Sequence, residues 1–276
     1  MKTKLFALLT LLSFAVAGFA ETVSISSPAE LIAFANRVNN NGELTLDAVL
    51  TADIDMTGQT WAKPIGCWTP NVNNARVMYQ GHFDGQGHAI ENLTYTTTQN
   101  YHGLFGVLST GALVENFSIS GTVTNASYTE FGTIGFTRDD NPTLRNIHSS
   151  LNFNNSLAGA RIGGIVGQAY VGTTNIDRCT YSGTISANDN GGSGNYGGMV
   201  GIGNNNTSAI CNITNCLFDG ELKNTAATPG NCTFGGMVGY SNAAVITIKN
   251  CVSIGMVSSA VYGQFWGAVK QAASLA

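Results

Sequence analysis

Charge is what this chain has least of. Asp, Glu, Lys and Arg make up 10% of its 276 residues, against about 25% in an ordinary globular domain. With only 12 basic residues it offers no cluster of cations to neutralise phosphates, which excludes nucleic acid as a partner. Long apolar runs are also scarce. The one such run, Leu5 to Val16, is shorter than the ~20 residues that cross a bilayer. Four histidines, His82, His88, His102 and His148, are not spaced as a ligand pair on a helix, and no H-E-x-x-H occurs. Turn or surface roles suit them, and no metal or cofactor is expected.

What the chain does have is 34 glycines, 43% apolar residues and many Asn, Ser and Thr. Such a composition gives a surface that is polar but uncharged. Residues 1–20 combine Lys2 and Lys4 with the apolar run and end in Gly18 and Ala20, the layout of a signal peptide cleaved after Ala20. The remainder carries ten basic and sixteen acidic residues, a formal charge of -6, and has no further segment that could span a membrane. A secreted or outer-surface location follows.

"YGGMVG" at 196–201 returns as "FGGMVG" at 234–239, and the same spacing ends at Gly106, Gly135, Gly167 and Gly267, in steps of 29, 32, 34, 38 and 28 residues. A period of this size belongs to a solenoid or an array. In phase with it run "ENFSISGTV", "RNIHSSLNF", "DRCTYSGTI", "TNCLFDGEL" and "KNCVSIGMV", each alternating apolar with polar as a half-buried strand does. A third short apolar piece, such as "TTNIDR" or "VITIKN", precedes each of them. Three strands per repeat, without helical periodicity or tight hairpins, predict an all-β chain: a right-handed, three-stranded parallel β-helix of about six coils.

Stacking of coils ~4.8 Å apart places equivalent side chains in columns. The expected inward columns are Phe117, Ile147, Cys179, Cys216 and Cys251; Ile119, Ser149, Tyr181, Phe218 and Ser253; and Val123, Phe153, Ile185, Leu222 and Val257. Tyr101, Glu130, Ile162, Tyr196, Phe234 and Tyr262 are expected in the column before the glycines, and Phe105, Ile134, Val166, Val200, Val238 and Trp266 in the column before the closing glycine. The glycines would then stand where a Cβ would collide with the neighbouring coil. Of the six cysteines, three form an interior ladder of unbridged thiols; Cys211 with Cys232 is the best remaining pair for a disulfide.

The glycine hexapeptide followed by N-C-x-x-x-G-x-[VIL], with the lead-in "LTADIDMTGQTWAKPIG" and "GHFDGQGHAIENLTY", resembles the GLUG repeat of secreted Bacteroidetes proteins over roughly residues 28–267. That resemblance implies a right-handed β-helix exported to the cell surface, adhesin-like, with residues 21–100 as cap and lead-in and 101–276 as repeats. Related repeats occur in immunoglobulin-A-cleaving metallopeptidases, whose H-E-x-x-H this chain lacks. "SPAELIAFANRVNNNG" reads as the capping helix: Ser27 is the N-cap, Pro28 opens the helix, Glu30 completes a capping box, and Leu31, Phe34, Ala35 and Val38 share one face.

Function divides two ways. A non-catalytic binding module would present loops to an extracellular glycan or host protein, with Trp61, Trp68 and Tyr170 as aromatics that could meet sugars and Trp61 better suited to the core. A glycoside hydrolase would need paired carboxylates, and a polysaccharide lyase a metal or basic group beside an acid. Asp219 and Glu221, read as outward neighbours on one strand, and the adjacent Asp139 and Asp140 are the candidates. "DIDMTG" from Asp53 opens like a calcium loop, but Pro64 stands where the bidentate Glu belongs. On the last coil Val252, Ile254 and Met256 face outward, which calls for a covering tail, further sequence or a partner.

Overall fold

A computed structural model describes residues 21–67, 77–97, 99–125, 129–203, 208–228, 230–241 and 244–259. Its strands run parallel throughout, each hydrogen-bonded to its counterpart one coil away. Ile134 pairs with both Phe105 and Val166, and Val200 with both Val166 and Val238. The chain is thus a β-solenoid of about six turns with a single helix near its N-terminus. A coil of ~30 residues cannot bury an apolar face alone; stacking satisfies its amides and covers its interior together.

The coil of Glu130–Phe131, Ile134–Thr137 and Thr143–Asn155 has three pieces, but later coils break into more. One coil consists of Arg161–Gly163, Val166–Ala169, Gly172–Asp177, Thr180–Tyr181 and Thr184–Ala187. The hexapeptide supplies the first two, in separate sheets of four and five strands, and the rest join a sixteen-stranded sheet. Glycine explains the division. A Cβ on Gly164 would lie 2.1 Å from the Tyr181 ring, and one on Gly198 would lie 2.0 Å from the Gly236 carbonyl oxygen. No side chain fits at that bend.

The three long inward columns stand as expected. Phe117 stacks on Ile147, Ile119 on Ser149 and Tyr181, Phe218 on Ser253, and Val123 on Phe153, Ile185, Leu222 and Val257. The column before the glycines does not. His102, not Tyr101, pairs with Phe131, and Phe131, not Glu130, pairs with Ile162, followed by Tyr196 and Phe234. Later coils carry two glycines at the bend where the first two carry one, so a constant count back from the closing glycine slips by one residue. Tyr262 and Trp266 lie outside the described residues.

Pro28–Asn41 forms the helix, with Ser27 Oγ accepting the Glu30 N–H at 3.4 Å and Gly42 closing it at φ 73°. The reciprocal bond is displaced by one residue: the Glu30 carboxylate accepts from Ser26 N and Oγ at 2.7 and 2.8 Å, not from Ser27. Leu31, Phe34, Ala35 and Val38 are buried, and the Phe34 ring lies 6.0 Å from that of Tyr79 and 6.1 Å from that of Phe83. Burying such an aromatic contributes ~2–3 kcal/mol, and here it closes the first coil as a cap should. The Asn39 amide, also buried, accepts from Gly66 N and Cys67 N and donates to Pro64 O, tying the lead-in to the helix.

All six cysteines are free thiols. Cys211 stacks between Thr174 and Ile246, while the Cys232 thiol faces the Asp189 carbonyl, so the pairing of those two is not formed. At the far end Val252, Ile254 and Met256 are 52, 66 and 59% exposed. Residues 260–276 lie outside the described residues.

Candidate binding face and charged row

The outer surface of the large sheet is organised by a corner. Asn116, Asn146, Arg178, Asn215 and Asn250 occupy equivalent places and all have φ between 52° and 59°. Asn tolerates this left-handed conformation better than most side chains. Their amides form a ladder: Asn146 Nδ2 donates to Asn116 Oδ1 at 3.1 Å, and Asn250 Nδ2 to Asn215 Oδ1 at 3.3 Å. Asn116 and Asn215 donate instead to Asp84 and Asp177. Sequence reasoning passed over this ladder, although the Asn of "ENF", "RNI", "TNC" and "KNC" marked it.

Beside the corner runs a charged row in which Asp84, Glu115, Arg145, Asp177, Thr214 and Lys249 stack in order. Glu115 is buried. Its Oε1 meets His82 Nε2 at 2.9 Å and its Oε2 accepts from Arg145 Nε at 2.7 Å. A polar depression of about 330 Å³ opens there, lined by Glu115, Asn116, Arg145, Asn146 and Arg178. Among the described residues, His82, Asp84 and Glu115 are the His, Cys, Asp or Glu set whose donor atoms converge as metal ligands would.

On the middle coils beyond the corner the face is uncharged, and charge returns on the following coil, where Glu221 and Lys223 align with Thr184 and Ser186. Ser118, Ser120 and Thr122 align with His148, Ser150 and Asn152, and His148 aligns with Thr180. His148 Nδ1 lies 2.9 Å from Thr180 Oγ1, and Asn152 Oδ1 accepts the Thr184 N–H at 3.0 Å. A groove of about 220 Å³ continues this surface past Thr124, Asn154, Ser156, Ser186 and Thr225. Along a strand these groups recur every ~6.6 Å and between coils every ~4.8 Å.

Asp219 is exposed and Glu221 half-buried. Their N–H groups donate to Tyr181 O at 2.9 Å and to Gly183 O at 3.0 Å, which carries the ladder past Gly220, and the Glu221 carboxylate accepts from Ser258 Oγ at 2.9 Å. Asp139 has φ 61° and accepts from Ser109 Oγ at 2.8 Å and Arg138 Nε at 3.2 Å, while the Asp140 carbonyl accepts from Gly111 N. These bonds secure a turn. The "DIDMTG" loop is likewise held by its own neighbours. Ala89 N–H and His88 hold the Asp53 carboxyl below the usual range, and Asn92 and Thr57 do the same for Asp55. Trp61 is core, its indole N–H donating to Gly103 O at 3.0 Å. Tyr170 is partly exposed, its ring 5.4 Å from that of Phe136; Trp68 lies outside the described residues.

No family model matches the chain, so GLUG remains a resemblance. Over 80 residues it is 39% identical to a "Putative Gly-rich membrane protein" of Evansella cellulosilytica, a match covering 29% of this chain and 8% of that protein. Over 150 residues it is 31% identical to "Halomucin" of Haloquadratum walsbyi, covering 52% and 2%. The chain therefore spans under a tenth of the length of either relative. A solved structure from Bacteroides ovatus, named a "putative immunoglobulin A1 protease", superposes with a TM-score of 0.59 at 19% identity, covering 89% of this chain and 80% of that one. This likeness establishes a shared β-helix fold.

Proposed function

We propose that the chain is a secreted or cell-surface binding module of the adhesin kind, which holds a glycan or host protein without transforming it. The observation that carries this reading is the uncharged hydroxyl and amide grid of Ser118, Ser120, Thr122, Ser150, Asn152 and Thr180 on a rigid sheet. Many weak hydrogen bonds at regular spacing suit a hydroxyl-rich polymer, and a stacked backbone loses little freedom on binding. The leader at 1–20 supports export, as do the names of the membrane protein and halomucin relatives. Length variation in the loops "NDNGGSGN" and "NTAATPGNC" fits the variable edge of a binding solenoid. In this reading the exposed apolar side chains of the last coil meet a further coil, domain or partner.

A glycan array run beside a reducing-end assay on plant and host polysaccharides tests the proposal. Binding that persists at high salt and is lost in Ser150→Glu, which places a charge in the grid, is the expected result. Turnover abolished by Asp219→Asn would overturn it in favour of a carbohydrate-active enzyme.

A further inference from the structure

We propose that His82, Asp84 and Glu115 bind a divalent transition-metal ion on the outside of the large sheet. His82 and Asp84 are two apart on the strand His82–Asp84 and so project from one face, and Glu115 stacks on Asp84 from the next coil. One donor atom from each lies within 4.8 Å of the other two. An ion with bonds of ~2.1 Å holds its ligands ~3–4 Å apart, a span that rotation of the half-exposed His82 side chain closes.

The outer contacts leave one acceptor of each carboxylate for the ion. Glu115 Oε2 is held by Arg145, which frees Oε1. Asp84 Oδ1 accepts from Gln86 N at 2.9 Å and Asn116 Nδ2 at 3.0 Å, which frees Oδ2. These bonds fix the ligands as outer partners do in built metal sites. Ion binding replaces the His82–Glu115 hydrogen bond, and the proton on Nε2 leaves to solvent or is carried on Nδ1. Two carboxylates, with Asp47 alongside accepting the His82 backbone N–H at 2.7 Å, outweigh Arg145, while the Arg178 charge is paired with Asp177. Imidazole with carboxylate selects ions such as zinc or cobalt over calcium. This site is independent of the hydroxyl grid and of the binding role proposed for it.

Calorimetric titration of the full chain with Zn²⁺, and its visible spectrum with Co²⁺, test the proposal. Expected are one saturable equivalent and ligand-field bands without a thiolate charge-transfer band. Affinity should fall at least ~10-fold in His82→Ala and in Asp84→Asn, both with unchanged far-UV circular dichroism, and stay unchanged in His148→Ala. Absence of saturable binding, equal affinity in His82→Ala, or a thiolate band would each overturn it.

Discussion

Mild acid should loosen this rod at one residue, His102. Its imidazole is fully buried, lies stacked 4.5 Å from the Tyr95 ring, and neither ring nitrogen has a hydrogen-bond partner among the described residues. Loss of water around the charged form pushes its pKa down to about 3. The unfolded chain takes up that proton near ~6.5. Between these values the unfolded state binds more protons, so the contribution is whole above pH ~6.5 and is lost as pH falls toward 3. At ~1.4 kcal/mol per unit the loss reaches ~2 kcal/mol at pH ~5, a large part of a total stability of ~5–15 kcal/mol. His102→Phe supplies the residue that the next coil already uses, Phe131, and removes both the titration and the unpaired nitrogens. Urea unfolding of both proteins at pH 7 and 5, followed by circular dichroism, gives the comparison. The variant should be the more stable at pH 7, and its loss between the two pH values should be smaller by ~2 kcal/mol. An equal loss in both proteins would refute the argument.

Two further outcomes follow from the packing. Gly198→Ala should destabilise by ~3 kcal/mol or more, because the new methyl meets the Gly236 carbonyl and the Phe218 ring; Gly191→Ala, at φ 71° in open space, should cost only ~1–2 kcal/mol, as thermal melts of the two will show. Arg161→Ala leaves the buried Glu130 carboxylate without its cationic partner and should cost ~3–5 kcal/mol, much of which the double variant Glu130→Gln, Arg161→Met should restore.

The interior was legible in the sequence because stacking repeats the same packing demand at each coil. Phe117, Ile147, Cys179 and Cys216 could be aligned by counting, since each stands four residues before the Gly121, Leu151, Gly183 or Gly220 of its own strand. Counting failed at Tyr101 and Glu130, whose bends lack a second glycine, and a period-two chain turns a single-residue slip into an exchange of inside and outside. The outer face was harder to read. Its asparagine corner depends on backbone φ, and the His82, Asp84 and Glu115 cluster joins residues 33 positions apart through register alone.

Uniform parallel register makes length a free variable. Any coil offers the next the same edge and the same columns, so duplicating a cassette of some thirty residues lengthens the molecule by ~4.8 Å without redesigning its cross-section. The number of coils alone then sets how far apart the two ends of such a rod stand, with no new packing problem at any of them.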